Sequence, residues 1–455
     1  MALNNKFYKT VHLDLKGLPP TPKRLCELPE MFASFGLNSI LVEWEDTFPY
    51  RHFPELKAHY TYSLATIKEF LRQSRKHGIT VIPLIQTFGH LESLLMKDKY
   101  KNMRELKDDP RDICPLYPQS RQVISDMIAD VLEVHLPFGL KYFHLGADEV
   151  WSLGHCRKCR RFVEANSKED LFLYHMNPLF EQVNSVGVRA IIWHDMLREM
   201  SASHVRELAG RVDLMFWSYT NDEKRLNEFV KPENIRKCNE IGIGCWAAGA
   251  YKGADGPVAL FPKIDVRAEN TLLWKQIMDK YKFQGYVLTA WSRYSTSGAC
   301  CEPLEVCWDS LAVCMKALRT GKLDCIKDTK AAKRKIYGTV TPEKNCVKNI
   351  PLWDIYSSVV NLQEWADKFS CNLKHLEFFY PQPDGRINVK ALQDALKENK
   401  LLISNFNRIS EAVKSAMKNY VPLQELEYFL QSKLIPRKRL SEYIVKELNK
   451  SVRRK

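Results

Sequence analysis

The stretch KYFHLGADEVWSLG, residues 141–154, places two adjacent carboxylates, Asp148 and Glu149, directly after a short apolar run. We interpret the run as a buried strand, in which neighbouring side chains point to opposite faces. His144, Gly146 and Asp148 then share one face. Glu149 can turn to the same side as Asp148 only if the strand ends before it, which the following polar residues permit.

The same apolar run followed by an amphipathic segment recurs along the first two thirds of the chain. Segments 63–77 and 167–186 are typical helices, since each begins with a serine cap and stops at a glycine. Eight strands that alternate with helices predict an α/β fold, a (β/α)8 TIM barrel over residues 1–320. An open doubly wound sheet is the alternative, but no glycine-rich phosphate turn follows the first strand. The predicted strands are 10–15, 38–44, 79–86, 141–147, 189–194, 212–218, 241–247 and 285–291.

Residues 321–455 lose the strand pattern and show apolar residues at helical spacing. We predict a C-terminal α-helical appendage that packs on the barrel or on a partner. It ends in a basic tail, because residues 436–455 hold eight Lys or Arg against two Glu. The tail is either a solvated helix face or a polyanion-binding or nuclear-import segment.

Composition limits the classes of partner and the cellular compartment that we expect for this chain. The net charge of +14 is partly that of the tail, and no zinc-finger spacing or RNA-binding signature accompanies it, so we expect no nucleic-acid partner. No apolar stretch reaches the ~18 residues of a membrane span. The first residues lack the apolar core of a secretory signal, which predicts the cytoplasm and nucleus. The thirteen cysteines fit buried, reduced thiols. The sequence leaves open whether two copies of the chain form a homodimer.

The chemistry should lie where the barrel strands end, because the loops after the strands converge there. Four of the ten tryptophans fall at or near the ends of four successive strands: Trp193, Trp217, Trp246 and Trp291. Aromatic rings with acids between them suit a sugar, whose C–H faces stack while its hydroxyls need acceptors. The alternative for each tryptophan is packing between barrel and helices.

A floor acid and a rim acid are what hydrolysis of an N-acetylated glycoside by its own acetamido group requires. Glu149 at the rim would protonate the leaving oxygen, and Asp148 at the floor would orient the acetamido group. The protein then needs no carboxylate nucleophile. The alternative is an aspartate that caps a turn beside a solvated glutamate.

The motif HLGADE, with TFGH after the third strand and WHD after the fifth, resembles glycoside hydrolase family 20, the β-N-acetylhexosaminidases. The resemblance covers roughly residues 8–320 and extends to a nucleocytoplasmic branch of the family. It implies a terminal N-acetylhexosamine of a glycoconjugate as ligand, and we expect no cofactor and no metal. It implies Glu149 as general acid/base, Asp148 as the residue that orients the acetamido group, and His90 as support for the acid. Implied aromatic walls are Trp193, Trp217 and Trp291, with Tyr251 as the hydroxyl that bonds the acetamido oxygen.

Three positions depart from the family pattern. Lys9 and Lys16 flank the first strand where many members carry an arginine, and Gln86 and Arg293 stand where many carry acids. Sugar hydroxyls must then meet other groups, for which we suggest Asp14, Glu45 and Glu302. Whether galactosaminides or glucosaminides are preferred stays open; the resemblance implies that both are accepted, with galactosaminides favoured.

Two further functions fit the same residues. One is a two-carboxylate retaining glycosidase with Glu149 as acid and Asp195 or Glu302 as nucleophile. The other is a non-catalytic sugar-binding or scaffold protein on the barrel.

The segment HCRKCR, residues 155–160, lies directly after the two acids. Its Cys156 and Cys159 are inert thiols, a disulfide or redox-sensitive pair, or half of a metal site. A metal would need two further ligands, and the sequence shows no second Cys-x-x-Cys pair.

Overall fold

A computed structural model describes residues 7–296, 298–338, 350–373, 375 and 389–453. The strands in these residues are β1 (Tyr8–Asp14), β2 (Ser39–Glu43), β3 (Thr80–Leu84), β4 (Arg104–Leu106), β5 (Asp109–Ile113), β6 (Tyr142–His144), β7 (Arg189–Trp193), β8 (Val212–Trp217), β9 (Cys245–Lys252) and β10 (Gly285–Ala290). Eight of them close into a parallel barrel in the order β1-β10-β9-β8-β7-β6-β3-β2. The predicted TIM barrel is confirmed. The other two strands, β4 and β5, form an antiparallel hairpin in the connection between β3 and β6.

The helices in the described residues are α1 (Pro22–Ser34), α2 (Leu64–Lys76), α3 (Glu92–Leu95), α4 (Ser120–His135), α5 (Arg157–Ala165), α6 (Lys168–Ser185), α7 (Ala202–Glu207), α8 (Glu223–Val230), α9 (Pro232–Glu240), α10 (Ile264–Met278), α11 (Trp308–Thr320), α12 (Cys325–Ile336), α13 (Ile350–Asn372), α14 (Val389–Met417) and α15 (Leu423–Arg453). The predicted serine caps are present: Ser63 accepts a hydrogen bond from the Thr66 amide, and Ser167 from the Asp170 amide. None of the described helices is long and apolar enough to cross a membrane.

Two of the eight predicted barrel strands are placed differently. Strand β9 begins at Cys245 rather than at residue 241, because Gly242 takes a left-handed φ of +81° in the turn after α9. Strand β6 ends at His144 rather than at residue 147, because Gly146 and Ala147 also have positive φ. Both differences affect residues that the sequence analysis assigns to the site: Trp246 and Tyr251 in β9, and Asp148 and Glu149 after β6.

The strands alternate strictly between the barrel interior and the helical layer. Leu41 and Trp246 belong to an interior cluster, whereas the residues on either side of them, Ile40, Val42, Cys245 and Ala247, join the large core between barrel and helices. This alternation decides which side chains can reach the open end of the barrel.

The C-terminal helices pack on the barrel, as one of the two predictions stated. The Thr21 amide donates to the Tyr420 carbonyl at 2.8 Å, and the Lys433 ammonium to the Ala259 carbonyl at 3.2 Å. Pro436 lies inside α15, so the expected basic tail continues this helix as far as Arg453. Residues 454 and 455 lie outside the described residues.

Candidate active site

A cavity of about 330 Å³ opens where the barrel strands end. Residues from strands and from the loops after them, including one in the β1–α1 connection, form its wall. These are Lys16, Gln86, His90, Asp148, Glu149, Trp193, Trp217, Tyr219, Gly253, Ala254, Trp291, Arg293 and Tyr294.

The two adjacent acids converge in this cavity. The Nε2 atom of His90 lies 3.5 Å from Asp148 Oδ2 and 3.3 Å from Glu149 Oε2. The Asp148 side chain is 10% exposed and that of Glu149 is 35% exposed. Asp148 therefore lies at the floor and Glu149 at the rim.

His90 carries charge between the acids. Burial on its own would lower the pKa of His90, but the Asp148 carboxylate and hydrogen bonds with both acids raise this pKa well above its usual range. An imidazolium at this position can hydrogen-bond to one acid and attract the other, which keeps both carboxylates turned inward.

Left-handed backbone brings the acids together. Gly146, Ala147 and Glu149 have φ of +60°, +66° and +51°, and His90 has +54°. Each such residue other than glycine costs roughly 1–2 kcal/mol, and strain of this kind concentrates at functional sites. Because the chain coils directly after β6, Glu149 turns to the same side as Asp148.

Asp195 supports the rim from behind the wall. Its carboxylate accepts the Glu149 backbone N–H at 2.9 Å and the Trp217 indole N–H at 3.0 Å. Burial and the nearby Asp148 carboxylate raise the pKa of Asp195 to about 7. Both of its oxygens hold other site residues, and it does not line the cavity.

Three of the four predicted tryptophans line the cavity: Trp193, Trp217 and Trp291. Tyr219, which the sequence analysis missed, stacks on Trp217 with ring centroids 5.2 Å apart. The sequence contains a pattern that predicts this position: Tyr219 follows Trp217 by two residues and therefore points to the same face if the strand direction continues.

Trp246 was placed wrongly. Since β9 starts at Cys245, Trp246 lies at the opposite end of the barrel. Its ring packs 5.3 Å from Tyr8 and 5.1 Å from Tyr142, and its indole N–H donates to Asp213 at 3.2 Å.

Tyr251 was also placed wrongly. It lies within β9 with parity opposite to Trp246, so its fully buried side chain joins the core between barrel and helices. There its carbonyl accepts a hydrogen bond from the Ser310 hydroxyl at 2.7 Å. The phenol beside the tryptophans in the cavity is that of Tyr219.

The acids proposed for sugar hydroxyls lie behind the cavity wall. Lys16 reaches the cavity, and its ammonium lies 3.0 Å from Glu43, 3.1 Å from Glu45 and 3.9 Å from Asp14. Burial, together with Glu43, raises the pKa of Glu45 to about 8, against the opposing effect of Lys16. Asp14 also accepts the Ser292 amide at 2.7 Å. Asp14 and Glu45 thus act on Lys16 rather than facing a ligand directly.

Glu302 is likewise removed from the cavity wall. Its carboxylate accepts the backbone N–H of Gly253 at 3.0 Å and is 1% exposed. The residue therefore fixes a loop that lines the cavity through Gly253 and Ala254.

Four buried polar atoms on cavity residues have no hydrogen-bond partner within the described part of the chain: Gln86 Oε1, Asp148 Oδ1, Trp193 Nε1 and Arg293 Nε. Unpaired buried polar atoms are costly unless a ligand or solvent satisfies them. The cavity thus offers two acceptors and two donors, a set that matches the amide and hydroxyl groups of an amino sugar.

Comparisons with known proteins agree with this geometry. The family model "Glycosyl hydrolase family 20, catalytic domain" matches residues 42–234. The chain is 35% identical over 349 residues to hexosaminidase D of Homo sapiens, a match that covers 74% of this chain and 70% of the human protein. Hexosaminidase D of Bos taurus is also 35% identical, with 98% of that protein covered.

Solved structures share the fold. The β-N-acetylhexosaminidase of Bacteroides fragilis superposes with a TM-score of 0.53 at 15% identity, over 73% of this chain and 70% of that chain. The Streptomyces plicatus N-acetyl-β-hexosaminidase, solved with thio-NAglucal, gives a TM-score of 0.52 at 15% identity, over 74% and 70%.

Proposed function

Because this chain belongs to glycosyl hydrolase family 20 and is a β-N-acetylhexosaminidase, we propose that it is a retaining, exo-acting enzyme whose substrate supplies the nucleophile. The observation that carries the proposal is the convergence of Asp148 and Glu149 on one cavity. In the described residues they are the carboxylates that line it. A cavity of about 330 Å³ is suited to a single terminal sugar.

In the first step the acetamido carbonyl oxygen attacks the anomeric carbon. Asp148 accepts the acetamido N–H through its unpartnered Oδ1 and increases electron density on that carbonyl. Glu149 donates its proton to the glycosidic oxygen as the bond to the anomeric carbon breaks. The products are the free alcohol and a bicyclic oxazolinium intermediate.

In the second step water opens the intermediate. Glu149, now a carboxylate, accepts a proton from the water molecule. At the same time the water oxygen bonds to the anomeric carbon, and the bond between that carbon and the oxazolinium oxygen breaks. Two inversions at the anomeric carbon give net retention. Tyr219 takes the role expected of Tyr251, donating its hydroxyl to the acetamido oxygen between Trp217 and Trp291.

A two-carboxylate mechanism would need a second acid facing the anomeric carbon. Asp195 holds the Glu149 amide and the Trp217 indole, and Glu302 holds the Gly253 amide. The placement of both behind the wall favours the acetamido mechanism.

For the sugar itself we propose terminal β-N-acetylgalactosaminides and β-N-acetylglucosaminides, with Lys16, Gln86 and Arg293 meeting the ring hydroxyls. All three line the cavity and can donate hydrogen bonds. Gln86 and Arg293 stand where many members of the family carry acids, and Lys16 lies near the position of an arginine, which supports tolerance of either 4-hydroxyl orientation.

The mechanism is tested with nitrophenyl glycosides that either carry or lack the 2-acetamido group. We expect turnover of both N-acetylhexosaminides, none of the 2-hydroxy analogues, and strong inhibition by a thiazoline analogue of the intermediate. Asp148→Asn should lose activity on all N-acetylated substrates, because acetamido attack precedes departure of any leaving group. Comparable turnover of the 2-hydroxy glycosides would instead establish a protein nucleophile.

A further inference from the structure

Four side chains from three segments meet beside the loop that follows Asp148 and Glu149. Glu105 comes from β4, Cys114 follows β5, and Cys156 and Cys159 begin α5. One ligand atom from each lies within 4.8 Å of the other three. We propose that these four residues bind a structural zinc ion, a function independent of the sugar chemistry.

The sulfur positions fit tetrahedral coordination. Cys114 Sγ lies 3.6 Å from Cys156 Sγ and 3.5 Å from Cys159 Sγ. Zinc–sulfur bonds of about 2.3 Å in a tetrahedron place sulfur atoms roughly 3.7 Å apart. A disulfide requires about 2.05 Å and joins only two sulfurs, whereas here one thiol lies at nearly equal distances from two others.

Glu105 supplies the fourth ligand. The residue is 3% exposed, and its Oε1 accepts the Cys156 backbone N–H at 2.9 Å. Its Oε2 is buried and has no partner in the described residues. A carboxylate oxygen left unpaired in the interior is costly, and a divalent cation at this point would satisfy it.

The local backbone and charge suit thiolates. Cys156 is the N-cap of α5, and its sulfur accepts the Cys159 N–H at 3.4 Å. Three thiolates and one carboxylate around Zn²⁺ carry a net charge of −2. The exposed Arg157, Lys158 and Arg160 and the positive end of α5 offset it. On binding, the thiols release their protons to solvent.

The sequence shows only half of this site. Cys114 is separated from Cys156 by 42 positions and from Cys159 by 45, a spacing that matches no compact zinc motif. The two further ligands that Cys156 and Cys159 needed are supplied by the β4–β5 hairpin.

The ion would join two segments that carry active-site residues. The hairpin is tied to the His90 segment by the Leu91 amide, which donates to the Arg111 carbonyl at 2.9 Å. Asp112 of the hairpin accepts the Ser152 amide, three residues beyond Glu149, at 2.8 Å. With four protein ligands the site is closed, so the ion acts on position and stability and stays away from the substrate.

The test is metal analysis of the full-length protein, purified under reducing conditions and dialysed free of loose metal. We expect about one zinc per chain, released when a mercurial blocks the thiols. Cys156→Ser and Glu105→Gln should reduce bound zinc several-fold and lower the melting temperature. Cys325→Ser, a half-buried cysteine outside the cluster, is the matched control and should keep the zinc.

A second measurement does not depend on the variants folding. Apoprotein loaded with Co²⁺ should show sulfur-to-cobalt charge-transfer bands and the visible bands of tetrahedral cobalt. Absence of bound zinc after incubation with zinc chloride, together with rapid alkylation of the three thiols, would overturn the proposal. So would an intact mass 2 Da lower, which marks a disulfide.

Discussion

Glu149 lies at the rim of the cavity with its side chain 35% exposed, where it can reach a glycosidic oxygen that projects toward solvent. Glu149→Gln keeps the shape and removes the proton. We expect kcat on an N-acetylhexosamine disaccharide to fall by roughly 10²–10⁴-fold, the usual contribution of general acid catalysis. The measurement is a coupled assay of the released sugar.

A nitrophenyl glycoside is the matched control substrate, because its leaving group needs little protonation. The loss with Glu149→Gln on that substrate should be much smaller in the first step. Unchanged kcat on the disaccharide would remove Glu149 from the role of acid.

His90 links protonation to stability. Its pKa is raised in the folded protein, chiefly by Asp148 acting against burial, so the folded state holds a proton that the unfolded chain releases near pH 6.5. The stabilisation is complete below about pH 6.5 and is lost as the pH rises through the raised pKa. We therefore expect the difference in unfolding free energy between wild type and His90→Gln to shrink from about pH 6.5 upward.

Urea unfolding at a series of pH values measures this difference. His77→Gln, at the C-cap of α2, provides the control substitution. A gap for His90→Gln that is constant up to pH 10 would show that the acids do not hold a proton on this ring.

In the connection after β6, the backbone of Gly146 determines where the Gln86 side chain lies in the cavity wall. Gly146 has φ +60°, and a Cβ atom there would lie 2.0 Å from Gln86 Oε1. Gly146→Ala must displace Gln86 from the cavity wall in addition to the left-handed cost of about 1–2 kcal/mol. We expect a lower melting temperature and a raised KM for the N-acetylhexosaminide.

Gly321→Ala separates the two contributions. Gly321 ends α11 with φ +64°, and a Cβ atom added to it would meet nothing within 4 Å. This variant should lose similar stability through its backbone alone and keep its KM. Equal KM values for the two variants would contradict the role given to Gln86.

Strand register explains the two misplaced aromatic residues. Strand β9 starts four residues later than the sequence predicts, so Trp246 lies at the closed end of the barrel and not at the open end. Parity then sent Tyr251 outward, since side chains alternate along a strand. Tyr219 reached the cavity because it follows the inward-facing Trp217 at an even spacing.

At the scale of the whole molecule, the C-terminal helices reach the sugar site. Glu425 on α15 lies 3.5 Å from the Arg293 guanidinium, which lines the cavity, and Arg293 also stacks on Tyr428 at 4.8 Å. Glu425→Gln removes the charge that holds Arg293. We expect KM to rise several-fold while kcat changes little, because the proposed role of Arg293 is to bind a ring hydroxyl and not to act on the reacting bonds.

Glu427→Gln is the matched control. Glu427 lies two residues away on α15, is 53% exposed and pairs with Lys414 at 3.3 Å. Steady-state kinetics should leave this variant at wild-type KM. If both variants behave alike, α15 does not act through Arg293.

Local patterns in the chain were enough to predict the fold class and to place Asp148 and Glu149 at the cavity. Eight β-branched runs alternate with capped helices, and this periodicity predicts an α/β fold; the absence of a glycine-rich turn after the first strand favours the barrel over an open sheet. Adjacent Asp148 and Glu149 at the end of one run predicted the position of the site, because the strand ends of a barrel face one mouth. Of the four tryptophans expected there, Trp193, Trp217 and Trp291 line the cavity and Trp246 does not.

The polar groups that surround that pair depend instead on how distant segments pack. Lys16, Arg293, Glu425 and the cluster of Cys114 with Cys156 bring together residues far apart in the chain. Their proximity depends on loop paths and helix docking, which no local pattern encodes. The first residue of β9 could not be predicted either, because an apolar run does not show where a glycine turn ends and the strand begins.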